Sequence, residues 1–236
     1  NTIRASLELV DCTLRGDVIA TGTRFEQKVA FAGSVIEETT PTLGGDRTGK
    51  VDFSRAWFVS DADFSGVSFP GPFVHFDEAR FDGNANFDGA QFQDFVWFNH
   101  AQIHGISSFV GAQFQHAEFR STRFTSVASF EDADFDGYAD LYSAEFLNDA
   151  IFDETAFHAG GGFDTVTFGE DVAFRSAQFS GGATFENARF DGFADFHAAR
   201  FVSYANFDGA VFESGAGFDQ ATLNGDPFRP ENHSED

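Results

Sequence analysis

The sequence predicts an all-β solenoid, a rod wound from short extended steps and turns, and three regularities carry that prediction. Phe recurs on a lattice whose steps alternate between five and six residues. From Phe130 it runs Phe135, Leu141, Phe146, Phe152, Phe157, Phe163, Phe168, Phe174 and onward to Phe218 and Leu223. The position two before each lattice residue is small, as at Ala128, Ala133, Ala144, Ala177, Ala188 and Ala199. Gly often stands two after, as at Gly66, Gly89, Gly137 and Gly209, and the intervening residues are mostly polar. Residues i and i−2 share one side of an extended chain, so Phe and Ala turn inward and the residue between them meets water. Gly at i+2 supports a turn. The spacing i, i+5, i+11 makes no tight face at about 3.6 residues per turn, which disfavours a helix.

Of the 35 Phe, 31 lie on this lattice. Phe87, Phe92, Phe98, Phe130, Phe135, Phe152, Phe163, Phe174, Phe185, Phe196, Phe207 and Phe218 form its spine. Stacked coils bring equivalent residues to about 4.8 Å, where Phe meets Phe in offset pairs. The lattice slips twice: Phe69 to Phe76 is seven residues, and Phe114 to Phe119 is five where six is due.

The units Ala85-Asn86-Phe87-Asp88-Gly89, Ala133-Asp134-Phe135-Asp136-Gly137 and Ala205-Asn206-Phe207-Asp208-Gly209 resemble the pentapeptide-repeat family. Its motif is a small residue, a polar one, a central Leu or Phe, a polar one and often Gly. The resemblance covers most of 51–223 and, more weakly, 5–36. It implies a right-handed quadrilateral β-helix with four repeats per coil. The regular sixth residue departs from a strict five-residue repeat and lengthens the coil to 22. About ten coils then make a rod of roughly 48 Å.

Taken in chain order, residues 1–223 form a single β-helix, degenerate over 1–50 and regular over 51–223. The first six residues suit an edge strand or cap. The chain begins at Asn1 without Met, which points to processing or to a piece of something longer. Residues 37–50 carry no lattice Phe, and Ile36 to Phe53 spans 17 residues, which equals six plus five plus six. This segment is expected to be a degenerate rung with a polar bulge, the sharper reading being an extruded recognition loop. The tail 224–236 contains Pro227 and Pro230, ends in acids, and is expected to be disordered and too short for a helical dimer cap.

Phe73, Phe95 and Phe193 lie three before a lattice Phe, in the extra slot of a long step. At 22 residues per coil, Phe73, Phe95 and Tyr138 share one edge, with the outward Trp97 beside them. The edge suits corner packing, or an apolar interface for a partner or a homo-oligomer.

No catalytic, metal or cofactor site is expected. Asp132, Asp134, Asp136 and Gly137 look like the start of a calcium loop, but the twelfth position is Ser143 and Phe135 faces the core. His100 and His104 belong to different repeats, and the remaining His residues form no cluster along the sequence. Cys12 is the one cysteine, so there is no intrachain disulfide and no Cys-rich zinc site. No phosphate loop, nucleophile elbow or dinucleotide fingerprint appears.

The charge narrows the function. With 38 acids against 14 bases, a net −24, direct binding to nucleic acid or to an anionic membrane is disfavoured. No apolar run is long enough to span a membrane, and without a targeting segment a cytoplasmic location is expected. Asp164, Glu186 and Asp208 lie 22 apart and form a candidate partner-facing acidic ladder. The chain has two Lys against 12 Arg, and 24 Asp against 14 Glu. Many acids with few Lys suit a salt-adapted, halophilic protein. The leading expectation is therefore a non-catalytic acidic scaffold or interaction module with an unidentified protein partner. One alternative rests on the resemblance: some members of the family are DNA-like rods that occupy the DNA-binding groove of gyrase and related type II topoisomerases. A further alternative is an accessory domain of a longer membrane or signalling protein.

Overall fold

The computed structural model describes residues 1–37, 50–71, 73–228 and 230. The chain forms a four-sided β-solenoid whose coils stack in parallel. The first face is a ten-stranded sheet from Thr2–Ile3 to Val211–Phe212, and the second is a ten-stranded sheet from Leu7–Glu8 to Ala216–Gly217. The third face starts at Thr13–Arg15 and the fourth at Val18–Ile19. These two merge into one 18-stranded sheet because Gln91–Trp97 and Gln113–Glu118 run unbroken around the corner between them. Apart from those two, the strands have only two or three residues, which is what a turn every five or six residues permits. The described residues contain no helix.

Regular coils hold a register of 22, as in Ala128↔Ala150 and Phe124↔Phe146. The two slips in the Phe lattice appear as one coil of 23, Ala62↔Ala85, and one of 21, Ser107↔Ala128. The second slip is absorbed at the bulge between Phe92 and Phe95.

The reading of 37–50 as a degenerate rung with a polar bulge falls on 38–49, outside the described residues, but the flanking strands set the register. Ile36 pairs with Leu14 on the third face, while Asp52 pairs with Ile19 on the fourth. The 17 residues from Ile36 to Phe53 are therefore one step, where the coil below crosses from Leu14 to Ala20 in six. The corner carries an insertion of eleven residues, and the coil register there is 33, as in Val29↔Ala62. Eleven equals one five plus one six, which is why the lattice arithmetic concealed it. The recognition-loop reading falls on 38–49, outside the described residues.

The tail is not disordered from its start either. Asp226–Pro227 pairs antiparallel with Thr222–Leu223. Phe228, off the lattice, packs on Phe201, Phe218 and Phe207 at 5.3, 6.0 and 6.1 Å between ring centroids. The last coil thus has an aromatic lid.

The core is four columns of aromatic rings. On the second face Phe87, Phe109, Phe130, Phe152, Phe174, Phe196 and Phe218 stack at 4.7–5.0 Å, within 7° of parallel. Rings of the fourth face meet them edge-on across the axis, as Phe163 does Phe152 at 5.5 Å and 90°. Rings of the second and fourth faces thereby have parallel neighbours along the rod and perpendicular ones across it, both favoured by the ring quadrupole, while third-face rings such as Phe135 stack along the rod and tilt at 37° to Phe130. The spine residues from Phe87 to Phe196 are buried, while Phe207 and Phe218, in the end coils, are partly buried.

Corners come in two kinds. At five-residue steps the residue two after the inward position has positive φ: Gly66 and Gly89 at 61°, but also Asp132, Thr165 and Asn187 at 55°. At six-residue steps Gly105 has no positive φ, yet a Cβ there would strike the backbone carbonyl of Gly83 in the adjoining coil. The first kind needs left-handed backbone, and the second needs room.

Candidate interaction surfaces

The acids are not spread evenly. Residues 1–60 hold eight acids and seven bases, while 61–236 hold 30 acids and seven bases. Within 61–224 the faces differ as well. The second face with the corner leading into it carries twelve acids against Arg175. The fourth face carries Asp77, Glu78, Glu118, Asp140, Asp164, Glu186 and Asp208 against Arg120. The first face holds four acids and three bases, and the third Asp94, Asp134 and Asp136 against Arg200. The second and fourth faces lie opposite one another, so two acidic surfaces flank two nearly neutral ones.

Asp164, Glu186 and Asp208 stand on successive coils: Thr165 N–H donates to Glu186 C=O and Asn187 N–H to Asp208 C=O, each at 2.8 Å. Glu186 and Asp208 are exposed and Asp164 is half-buried. The column is more than a stack of like charges, because Asp164 Oδ1 accepts the backbone N–H of Glu186 at 2.9 Å. The same device recurs where Asp61 takes Asn84 N–H, Asp153 takes Arg175 N–H and Asp171 takes Phe193 N–H. Asp52 works within one coil, accepting from Ser54 N–H at 2.9 Å and facing Lys50 Nζ at 2.8 Å. Burial pushes the Asp52 carboxyl up, but hydrogen bonds from Lys50, Ser54 and Thr21 hold it well below the usual range.

Phe73, Phe95 and Trp97 do come together. Phe73 pairs with Phe95 and His75 with Trp97 on adjacent strands. Trp97 lies 5.6 Å from Phe73, 5.5 Å from Phe95 and 4.6 Å from His75, all stacked. Phe95 in turn stacks on His116 at 4.4 Å. Tyr138 belongs to the same column, one coil beyond His116. Phe73 is 44% and Tyr138 43% exposed. Tyr138 leans over Gly162, where a Cβ would collide with its hydroxyl. It helps line a notch of about 270 Å³ with Arg120, Asp140, Tyr142 and Asp164.

His158 lies 22 residues, one coil, after Asp136. The coil register brings its ring to Asp134 and Asp136, with Nε2 3.0 Å from Asp134 Oδ1 and donor atoms of all three within 4.8 Å of one another. The trio forms an ion pair when His158 is protonated and has the donor set of a cation site when it is neutral. On the first face, Arg24 lies over Trp57 at 3.7 Å and Trp57 Nε1 donates to Asp82 at 2.7 Å. Burial raises the Asp82 carboxyl, but the Trp57 and Arg80 bonds bring it below its ordinary value. Cys12 is half-buried, its Sγ 3.2 Å from Val10 C=O.

The four-sided coil, its ringed core and its small-x-Phe repeats define a pentapeptide-type β-solenoid. A family model described as pentapeptide repeats (nine copies) matches residues 66–113, 109–156 and 174–222, and the chain belongs to that family. No curated protein sequence matches it. Among solved structures the chain is similar to QnrB1, described as a plasmid-mediated fluoroquinolone resistance protein, at 16% identity and TM-score 0.39, covering 93% of this chain and 91% of that one. It is also similar to HetL, a pentapeptide repeat protein involved in heterocyst differentiation regulation from the cyanobacterium Nostoc sp. strain PCC 7120, at 16% identity and TM-score 0.27, covering 94% and 90%.

Proposed function

We propose that the protein is a non-catalytic, salt-adapted interaction rod that engages the basic surface of a protein partner through its second and fourth faces. The observation that carries this reading is the segregation of charge: nineteen of the acids in 61–224 lie on those two faces and their corner, opposed by only Arg175 and Arg120. A surface of that kind speeds and selects encounters with basic partners in a salt-dependent way. The partner-facing role of Asp164, Glu186 and Asp208 is part of the same proposal.

A second reading, mimicry of duplex DNA, is favoured by one specific observation. From Phe64 to Phe218 the second face climbs seven coils, about 34 Å at the strand spacing. Duplex DNA carries about 20 phosphates over that length, and residues 61–224 hold 26 acids against six bases, a net −20. The partner would then be the DNA-binding groove of a type II topoisomerase. A gyrase supercoiling assay with competing duplex separates the readings. Inhibition relieved by added DNA is expected of a mimic. Salt-sensitive binding to basic proteins without inhibition leaves the interaction rod alone, and the absence of both removes the two together.

A further inference from the structure

We propose that Asp134, Asp136 and His158, on the third face, form a binding site for a divalent first-row transition ion of the Zn²⁺ class. The site is built from two coils. Asp134 and Asp136 flank the buried Phe135, so both carboxylates leave the same outer surface. His158 lies one coil on: its backbone N–H donates to the Phe135 C=O at 2.9 Å, which places it beside Asp136. Ala156 is in register with Asp134 and presents only a methyl group, so the imidazole has room to reach diagonally to Asp134. Phe135 and Phe157 stack beneath at 5.0 Å and 4°, which gives the three ligands a rigid base.

Three observations point to a cation rather than to a simple ion pair. His158 Nε2 comes within 3.0 Å of Asp134 Oδ1, yet that oxygen is buried and accepts no hydrogen bond. Two donor atoms thus converge without a proton aligned between them, at the spacing of two ligands on one ion. Ligands about 2.1 Å from Zn²⁺ lie about 3.0–3.4 Å apart when their bonds meet at about 90–109°. Next, among the described residues neither Asp134 nor Asp136 accepts a backbone N–H, whereas Asp61, Asp153, Asp164 and Asp171 do. Their carboxylates are therefore not needed to close a corner. Last, the chain has 38 acids and seven His, but among the described residues this is the one group of three whose donor atoms gather within 4.8 Å. Acid density alone does not assemble it. An imidazole nitrogen with two carboxylates suits Zn²⁺, Co²⁺ or Mn²⁺, whereas Ca²⁺ and Mg²⁺ take oxygen shells. Asp136 is exposed, and a small rotation of its carboxylate closes the third bond. It borders a shallow notch of about 300 Å³ with Gln91, Gln93, Gln113 and Gln115, which leaves room for the waters that complete the shell.

Titration of the whole chain with Zn²⁺ in about 1 M KCl, where diffuse attraction to the acidic faces is screened, tests this. Calorimetry should show one site per chain. His158→Gln and Asp136→Asn should each weaken it at least about tenfold, because even outer-shell partners of a metal are worth about 10–100-fold. Circular dichroism should be unchanged, since both side chains are exposed. His197→Gln and Asp164→Asn, on other faces, should bind as the parent does. Co²⁺ should shift the ring-proton resonances of His158 before those of any other His, a readout that needs no variant. Three results would overturn the proposal: His158→Gln binding Zn²⁺ like the parent, binding that vanishes in concentrated KCl, or Ca²⁺ displacing Zn²⁺ as readily as Co²⁺ does. Each would mean a diffuse cation atmosphere on an acidic rod.

Discussion

Asp171 accepts the Phe193 N–H at 2.7 Å, and Asp164 and Asp61 do the same for Glu186 and Asn84. Among the described residues at least ten Asp accept a backbone N–H, and no Glu is seen to do so. The reason is reach. Corners interrupt the sheet ladders, and a short carboxylate can satisfy the freed N–H while its other oxygen stays in water. The excess of Asp over Glu therefore has a structural cause, one that counting residues does not separate from a response to salt. Asn84 and Asn99 fill the same role without charge, accepting from Ile106 and Arg120 N–H at 3.0 Å. At Asp171 the two contributions come apart: Asp171→Asn keeps the acceptor and removes a charge, while Asp171→Glu keeps the charge and moves the acceptor. Thermal melts should show Asn as neutral or stabilising and Glu as costing about 1 kcal/mol. The reverse order would mean that the charge, not the hydrogen bond, holds the corner.

Each strand is so short that the corners determine the path of the coil. A single expectation, Gly supporting a turn, divides into two causes once the coils are stacked. Thr165 is a β-branched residue at φ 55°, a conformation that costs L-residues about 1–2 kcal/mol. Gly105 has ordinary backbone but lies against Gly83 of the adjoining coil. Equilibrium unfolding should therefore show Thr165→Gly stabilising by about 0.5–1 kcal/mol after the entropy of an added Gly, and Gly105→Ala destabilising by about 1–3 kcal/mol through overpacking. The same two-level logic explains what was legible in the chain. The Phe columns and the edge joining Phe73, Phe95 and Trp97 follow from periodicity, since equivalent positions must stack. His158 follows from the same periodicity, since it lies 22 residues after Asp136 and each follows its lattice Phe, but the match shows only when columns are compared coil by coil rather than along the chain. The insertion at 37–50 escaped because its eleven residues equal one period. The ordered Phe228 escaped because Pro227 resembles a breaker, although its strand lies at a sheet edge, where Pro is tolerated.

The rod as a whole is a one-dimensional stack in which every coil meets only its neighbours, so a repulsion repeated at each step adds along its length. Acids recur at about 4.8 Å on the second and fourth faces. The Debye length is about 10 Å at 0.1 M salt, spanning two coils, and about 3 Å at 1 M, shorter than one. Stability should therefore climb with salt, and it should do so because of the acidic columns rather than through general salting-out. In KCl from about 0.1 to about 2 M, where screening becomes shorter than the coil spacing, the melting temperature of the parent is expected to rise steeply. The triple variant Asp164→Asn, Glu186→Gln, Asp208→Asn retains the Asp164 acceptor geometry, because Asn can replace it as Asn84 does. It should melt higher than the parent in low salt and rise less as salt is added, the two converging in concentrated KCl. Equal slopes would show that this column is already screened by Arg120 or by solvent. A flat parent would exclude salt adaptation and leave the acidic faces to be explained by what they bind.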